Sequence, residues 1–269
     1  SPTNVGMALL STLAAHDLGY LTPTALIRRL DRMLTTVEGL ERHEGHLLNW
    51  YDTATLAPLH PRYVSTVDSG NLAGALMALA QGLGHLIATP QTRLQLLEGL
   101  VDTGELLARE SSTSSSGDQS ARELTARVNR FARAIVSEAR RELSGAASSS
   151  LASTAHELAA VMASTAERQE TSETADEIAF WAHPLIDSVA SLTADASSAP
   201  GQELTALAQR ASALAAAMRF DFLYDRRRRI FSIGYRLADA DGPGRHDTAF
   251  YDLLLGSTTH AVLRRAPCP

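Results

Sequence analysis

The sequence predicts a mainly α protein, arranged as an α/α toroid in which helical hairpins follow one another and polar connections collect on one rim. Apolar residues recur at helical spacing through most of the 269 residues, and 45% of the composition is hydrophobic, enough for one large domain with a core. Strand-like patterns are confined to two short segments rich in aromatic and carboxylate side chains. Because ligands bind such folds at their connections, these two segments are the candidate site.

Two helices open the chain. Pro2 begins the first helix and Gly19 ends it, and Pro23 begins the second. The apolar faces at helical spacing are Val5, Leu9, Leu10, Leu13 and Ala14, then Leu26, Ile27, Leu30, Met33, Leu34 and Val37. A short loop between two amphipathic helices predicts an antiparallel helical hairpin.

The first ribbon segment begins near Gly45, where the periodicity changes. "GHLLNWYD" and "LAPLHPRYV", separated by residues 53–55, predict a small β-ribbon around a turn. Asp68, Ser69 and Asn71 are then predicted to cap a helix. That helix buries Leu72, Leu76, Leu79, Leu83 and Leu86, and Pro90 begins a further helix that runs to about Glu110.

Ser-rich stretches separate a different part of the chain. "SSTSSSGDQS" at 111–120 and "SGAASSS" at 144–150 cannot bury apolar surface and predict flexible connectors. Between and after them lie three long helices, the third with Pro184 at a predicted kink. Their apolar stripes include Leu124, Val128, Phe131 and Ile135, then Ile178, Trp181, Leu185, Val189 and Leu192. We expect a helical-bundle insertion without chemistry of its own.

The second ribbon segment follows "SSAPGQE" at 197–203 and an Ala-rich helix that ends near Met218. "FDFLYDRRRRIFSIGYR" predicts short strands around a turn at residues 225–229. A loop, "ADGPGRHD", then precedes a last helix from about Thr248. We therefore divide the chain into helical hairpins with the first ribbon (1–110), the insertion (111–200), a continuation with the second ribbon (201–255) and a divergent tail (256–269).

Composition excludes several kinds of function. A formal charge of −6 and a sequence pI near 5.8 give no electrostatic basis for binding nucleic acid or an anionic membrane surface. All 24 basic residues are Arg, so no lysine serves a phosphate loop, a Schiff base or general-base catalysis. Cys268 is the single cysteine, and the nine histidines show no metal-ligand spacing, so we expect no disulfide, no metal and no cofactor.

We also expect no direct membrane insertion by this segment. No run approaches about 18 uninterrupted apolar residues, and the chain opens with Ser-Pro-Thr-Asn instead of a charged and apolar leader. The missing initiator Met suggests that residue 1 lies inside a longer protein.

Four blocks of the sequence carry a family resemblance. They are "SPTNVGMALLSTLAAHDLGYLT", "ERHEGHLLNWYDTATLAPLHPRYVSTVDSGNLAGALMALAQG", "FDFLYDRRRRIFSIGYRLAD" and "FYDLL". In order and spacing they resemble the central glycoamylase-like domain of cyclic β-1,2-glucan synthases. The resemblance extends from Ser1 to about Leu255, whereas the Ser-rich region 111–200 is similar only in character.

The resemblance implies a fold, a reaction and a location. It implies an (α/α)6 toroid, of which this chain is an incomplete part, that transglycosylates β-1,2-glucan with retention and closes it into rings. Retention requires two carboxyl groups about 5 to 5.5 Å apart. The implied partners are β-1,2-glucan and the remaining domains of a larger synthase, on the cytoplasmic side of the bacterial inner membrane.

The sequence departs from the family after "FYDLL". The family continues into a helix with an Ala-Ser-Glu-Ala-Arg-like run, whereas this chain continues "LGSTTHAVLRRAPCP". The family's catalytic glutamates lie on segments beyond this block. We therefore assign no catalytic residue and expect a truncated or frameshifted product that is inactive alone.

In the first ribbon segment, Trp50 and Tyr51 could stack on glucose rings while Asn49 and Asp52 bond their hydroxyls. The alternative is that Trp50 anchors the ribbon and Asp52 closes the turn. Asp68, Ser69 and Asn71 could contact a ligand, cap a helix or do both.

The second cluster adds Ser232 and Tyr235, together with Asp252 at the start of the last helix. Asp225 is expected to serve its turn, and the arginines at 226–229 are expected to form a solvated turn tip instead of a phosphate clamp.

Three functions remain open. The chain could bind β-1,2-glucan without turnover, or it could be a non-catalytic helical scaffold whose polar ribbons are only caps and turns. A standalone β-glucan hydrolase would need two carboxylates to converge, from among Asp52, Asp68, Asp221, Asp239 and Asp252.

Overall fold

A computed structural model describes residues 1–113, 119–146, 150–167, 173–193, 200–238 and 242–247. Across these ranges the protein is mainly helical, which confirms the predicted fold class. The eight α-helices are α1 (Pro2–Asp17), α2 (Pro23–Gly39), α3 (Thr66–Ala88), α4 (Arg93–Thr113), α5 (Gln119–Leu143), α6 (Leu151–Glu167), α7 (Glu173–Thr193) and α8 (Gly201–Ala216). The predicted last helix from Thr248 lies outside the described residues.

Seven short strands accompany the helices in the described residues. They are β1 (Arg42–His43), β2 (His46–Leu47), β3 (Tyr63–Ser65), β4 (Tyr224–Asp225), β5 (Ile230–Phe231), β6 (Gly234–Arg236) and β7 (Arg245–Asp247). β1 pairs with β2, β4 pairs with β5, and a three-stranded sheet has the order β3-β6-β7, all antiparallel. These strands form no closed barrel across the described ranges, and the toroid stays a prediction.

The chain divides into two compact units. Unit 1 comprises residues 1–10, 31–82 and 206–269, and unit 2 comprises residues 11–30 and 83–205. Within unit 1, a small core of Leu48, Val64, Leu223 and Leu237 lies beneath the sheet. Within unit 2, apolar faces of α4, α5, α6 and α7 form one larger core, with Leu100, Val128, Leu158 and Leu185 fully enclosed.

The faces of α3 and α7 follow the predicted spacing, whereas of the predicted α1 face only Leu9 is fully buried. The α3 stripe Leu72, Leu76, Leu79, Leu83 and Leu86 is buried. The α7 stripe is also buried apart from the partly buried Trp181, and the helix continues through Pro184. Because a stripe repeats every three to four residues, its burial depends little on where the helix ends.

Helix starts differ from prediction at two places. α4 begins at Arg93 instead of Pro90, because Thr92 and Gln95 cap it reciprocally: Gln95 N–H donates to Thr92 Oγ1 (3.2 Å) and Thr92 N–H donates to Gln95 Oε1 (2.8 Å). α3 begins at Thr66, and Asp68 N–H donates to Ser65 Oγ at 3.2 Å. The predicted cap was therefore wrong: Ser65 caps α3, while Asp68, Ser69 and Asn71 lie inside it.

Two strand regions were also mispredicted. A tight hairpin, β1–β2, turns at Glu44 and Gly45, upstream of the predicted ribbon. Residues 245–247, predicted as loop, form β7, because β6 offers them a free edge. The predicted ribbon across residues 53–55 exists as backbone hydrogen bonds and one bridge between Tyr51 and Pro58. The second ribbon is confirmed as β4–β5.

Among the described helices, α3 is long and apolar enough to cross a membrane by length and composition. Within its most apolar window, 39% is buried in the structure. Core helices of globular proteins meet the same two criteria, so this finding alone does not identify a membrane segment.

Candidate functional site

The three-stranded sheet joins the two polar-aromatic segments within unit 1. Val64 of β3 pairs with Tyr235 of β6, and Ser65 pairs with Gly234. Thr66 N–H, at the start of α3, donates to Ile233 O at 2.9 Å. Residues far apart in sequence therefore share one sheet, and the first turn of α3 begins at its edge.

The loop that precedes β3 presents one ring to solvent. Asn49 N–H donates to Tyr63 O at 2.8 Å, and Leu59 N–H donates to Trp50 O at 3.0 Å, so the loop backbone is held on both sides of Trp50. The Trp50 side chain is 46% exposed. Asn49 is buried, and its side-chain Oδ1 accepts no hydrogen bond within the described structure. The exposed Trp50 ring is suited to stacking on a ligand, whereas the Asn49 side-chain oxygen is enclosed and does not reach this surface.

Asp52 closes the turn that follows. Its Oδ1 accepts hydrogen bonds from Ala54 N–H (2.9 Å), Thr55 N–H (2.7 Å) and Thr55 Oγ1 (3.0 Å). The bonds from Thr55 and Ala54 lower the pKa of this carboxyl. Asp52 is thus an Asx-turn residue in this structure.

The Tyr51 hydroxyl is used inside the fold. It donates to Glu41 O at 2.7 Å and accepts from Leu48 N–H at 2.7 Å. Burial raises the pKa of this phenol. With its proton and one lone pair engaged, Tyr51 fastens the loop to the start of the β1–β2 hairpin.

The first turns of α3 hold the amino-terminal end of α1. Thr3 N–H donates to Asp68 Oδ1 at 3.4 Å, and Asn71 Nδ2 donates to Thr3 Oγ1 at 3.1 Å. Burial raises the pKa of Asp68, but hydrogen bonds from Thr3, Ser65 and Ser1 outweigh it, and the net pKa is lowered. Ser69 is buried, and its Oγ has no partner among the described residues.

Tyr63 was not among the predicted site residues. Tyr63 is buried, and burial together with the nearby carboxylates of Asp247 and Asp68 raises the pKa of its phenol. Its ring lies against Gly234, where an added Cβ would meet the Tyr63 hydroxyl at 2.2 Å. All three residues of β3 are buried, so the Tyr63 ring belongs to the packing of the sheet.

Tyr235 is partly buried among aromatic rings, and Ser232 is buried. The Tyr235 ring stacks on His43 with centroids 5.8 Å apart and meets Phe222 and His246 edge to face. Ser232 Oγ donates to Leu223 O at 2.9 Å, and the residue is buried. Both side chains stabilise the junction between the second ribbon and the sheet.

The β4–β5 hairpin carries further exposed rings. Tyr224 and Phe231 meet edge to face at 5.4 Å, and both are exposed. The prediction for Asp225 is confirmed, since its Oδ1 accepts from Arg227 N–H (2.9 Å) and Arg228 N–H (3.1 Å). The four arginines at 226–229 are exposed at the tip. Aromatic pairs facing across a short ribbon are expected from cross-strand register, a signal available from the sequence.

The remaining candidate acids are dispersed or undescribed. Asp221 pairs with Arg219 at 2.9 Å, and Arg219 also lies 3.5 Å from Glu44. Asp239 and Asp252 lie outside the described residues. Across the described ranges, no group of three or more His, Cys, Asp or Glu side chains could hold a metal ion.

Comparison with known proteins relates the chain to a glucan synthase. The chain is 34% identical over 266 residues to the cyclic beta-(1,2)-glucan synthase NdvB of Rhizobium meliloti (strain 1021). The match covers 94% of this chain and 9% of that synthase, so the chain spans less than a tenth of the relative's length. No protein-family model matches the chain. The chain is therefore related to a cyclic glucan synthase through nearly all of its own length.

Proposed function

We propose that this chain is a glucan-binding part of a larger cyclic β-1,2-glucan synthase. The observation that carries the proposal is the joining of the two polar-aromatic segments in the β3-β6-β7 sheet, in a chain related to such a synthase over 94% of its length. An exposed indole ring lies in the first of these segments, among polar side chains. Sugars are bound by this combination, because a ring covers the C–H face of a pyranose while polar groups bond its hydroxyls.

The candidate residues fall into two groups: side chains proposed to contact glucan directly, and side chains whose polar atoms or rings already make contacts within the fold. Trp50 supplies the exposed stacking ring, whereas the unbonded side-chain oxygen atoms of Asn49 and Ser69 are enclosed and would have to be uncovered to reach a sugar. Asp68 and Asn71 are further proposed contacts, although both also bond to Thr3. Asp252, which lies outside the described residues, completes the proposed set. Tyr51, Asp52, Ser232 and Tyr235 act indirectly, because their polar atoms or rings already hold the loops in place.

The chemical step belongs, in this proposal, to the larger protein. Transglycosylation with retention needs two carboxyl groups about 5 to 5.5 Å apart. Of the acids available here, Asp52 closes a turn and Asp221 pairs with Arg219. The chain thus holds glucan, while the remaining domains of the synthase cut and close it, on the cytoplasmic side of the inner membrane.

Calorimetric titration with linear β-1,2-glucooligosaccharides tests the proposal. Replacing Trp50 with Ala should weaken binding about tenfold or more, since a stacked aromatic ring contributes on the order of 1.5 kcal/mol or more. Phe180→Ala is the matched control, because Phe180 is an aromatic side chain of unit 2 that is 67% exposed. Equal binding by the unmodified chain and Trp50→Ala would refute the proposed site, and β-1,4-glucooligosaccharides test linkage selectivity.

A non-catalytic helical scaffold is the second candidate. It is favoured by the internal bonding of Tyr51, Asp52 and Ser232, whose polar groups serve turns and strand junctions. A scaffold predicts that Trp50→Ala and Asn49→Ala change the free energy of unfolding without any measurable glucan affinity in the unmodified chain. The same titration therefore separates the two candidates.

A further inference from the structure

An open groove of about 860 Å³ lies within unit 2, along the contact between α4 and α5. The two helices run antiparallel, since Asn129 of α5 donates to Ala108 O of α4 at 2.6 Å while Arg93 of α4 pairs with Glu142 near the other end of α5. Their apolar faces enter the core of unit 2, and the groove is lined mainly by the polar flanks, with Ala108 and Val136 at its base.

Four guanidinium groups line this groove against one carboxylate. Arg109 comes from α4, and Arg133, Arg140 and Arg141 come from α5, with Glu105 as the acid. On α5 the arginines fall at helical spacing, seven and eight residues after Arg133, so they share one flank of the helix. A chain with a formal charge of −6 therefore concentrates positive charge at one place.

Neutralisation of these charges within the fold is incomplete. Glu105 pairs with Arg140, and Glu138 pairs with Arg141 at 3.2 Å. Arg133 Nε donates to the neutral amide oxygen of Asn129 at 2.9 Å. Arg109 makes no ion pair or hydrogen bond with any residue in the described ranges. Two guanidinium groups thus face the groove without a carboxylate partner in the described structure.

Serine hydroxyls add donors of a second kind. Ser112 and Ser144 line the groove but donate to carbonyl oxygens of their own helices at 2.7 Å. Ser137 lies one turn from Arg133 on the same flank of α5 and has no hydrogen-bond partner among the described residues. Guanidinium N–H groups and a hydroxyl from two helices are hydrogen-bond donors, and the oxygen atoms of a phosphate group are acceptors that such donors bind.

We propose that the α4–α5 groove binds phosphate groups of an extended ligand. The volume exceeds that of a single phosphate ion, so the ligand carries either a second phosphate group or further polar atoms, as a diphosphate or an anionic phospholipid headgroup does. Arg109 and Arg133 are the principal contacts, because neither is held by a carboxylate in the described structure. This site is independent of the glucan proposal, which concerns unit 1.

The test uses the whole chain and two probes. Inorganic pyrophosphate is titrated calorimetrically, and co-sedimentation is measured with vesicles of phosphatidylcholine alone or with an equal part of phosphatidylglycerol. The double variant Arg109→Gln/Arg133→Gln is compared with Arg127→Gln/Arg130→Gln, which removes the same charge from exposed positions of α5 outside the groove lining. The groove variant should lose about tenfold or more in affinity and the control less than about twofold.

Each outcome has a defined meaning. Selective loss with pyrophosphate identifies a soluble phosphate ligand, and selective loss with the phosphatidylglycerol vesicles alone identifies a lipid headgroup. Equal weakening by both double variants, or no binding of either probe by the unmodified chain, would overturn the proposal. If the Gln variant unfolds, Arg109→Lys/Arg133→Lys replaces it. This variant keeps the positive charge but lacks the bidentate guanidinium group, so it should still bind more weakly than the unmodified chain.

Discussion

The imidazole of His46 is fully buried in unit 1, with Nε2 2.8 Å from Arg219 O and Phe220 and Phe222 packed edge to face against it. Because a carbonyl oxygen only accepts, Nε2 carries the proton of the neutral ring. Burial is the largest influence and lowers the pKa of His46, as it does for His16 in unit 2. Sequence spacing gave no indication of either burial.

The lowered pKa values predict a pH dependence of stability. The unfolded chain binds these protons first, since an unperturbed histidine titrates near about pH 6.5, so folding is favoured above that value. The free energy of unfolding should fall as the pH is lowered from about 7 to about 5. Urea unfolding at each pH measures it: His46→Gln should reduce the slope in this window, whereas His60→Gln, at an exposed position, should leave it unchanged.

Gly45 is a second residue whose role can be measured. Its φ is +83°, and an added Cβ would lie 2.0 Å from Ala217 O, so both the backbone and its neighbour exclude a side chain. Gly45→Ala should lower the free energy of unfolding by more than about 2 kcal/mol. Gly74→Ala is the matched control: it lies in α3 with nothing within 4 Å, and it should stabilise the chain by about 0.5 to 1 kcal/mol. A neutral Gly45→Ala variant would contradict this geometry.

At the scale of elements, one side chain of α8 joins it to α2 through several hydrogen bonds. Arg210 of α8 donates to Glu38 at 2.8 Å, to Asp31 at 2.6 Å and to Thr35 at 2.9 Å, all on α2. Hydrogen bonds from Arg210 lower the pKa of Glu38, although burial opposes them, and the same bonds raise the pKa of Arg210. The planar guanidinium of Arg can hydrogen-bond two carboxylates at once with fixed geometry, and the ammonium of Lys cannot reproduce this arrangement.

Arg210→Lys should therefore cost about 1 kcal/mol of unfolding free energy, although it keeps the charge. The cost should shrink in high salt, because the groups are partly exposed and their attraction is screened. Urea unfolding in low and high salt measures both effects. Arg28→Lys is the comparison: its contact with Asp187 is 3.6 Å long and exposed on both sides, so a change near zero is expected.

Elements also show where sequence patterns succeed and fail. The α3 stripe was predicted residue by residue, yet the cap of the same helix was placed three residues late, at Asp68 instead of Ser65. A stripe averages over many turns, whereas a cap depends on which single residue leaves the helical conformation. In α3 that residue is the last of β3, so sheet pairing sets the start of the helix.

For the whole molecule, the division into two compact units predicts that unfolding is not a single transition. The two tryptophans report one unit each: Trp50 lies in unit 1, and Trp181 packs against the core of unit 2. Urea unfolding followed by tryptophan emission should give different midpoints in Trp50→Phe and Trp181→Phe chains.

Core substitutions that destabilise one unit at a time show whether each tryptophan reports only its own unit. Leu158→Ala in α6 removes a fully buried side chain from unit 2 and should cost about 2 to 5 kcal/mol, shifting the Trp181 transition. Leu34→Ala in α2 does the same within unit 1 and should shift the Trp50 transition. Coincident shifts of both signals in both variants would show that the chain unfolds as one cooperative unit.

Local pattern was sufficient for most of the helices, for the buried faces of α3 and α7 and for the turn role of Asp225, because these features depend on residues within about one helical turn of each other. For Asp52 it left sugar contact and turn closure open, and the structure shows the turn. Local pattern was insufficient for the pairing of β3 with β6, for strand β7, for the buried ring of His46 and for the arginine groove of α4 and α5. Each of these joins residues distant in sequence, and strands of two or three residues carry too little pattern to name their partners. The folded chain supplied those partners, and with them the surface proposed for glucan and the groove proposed for phosphate.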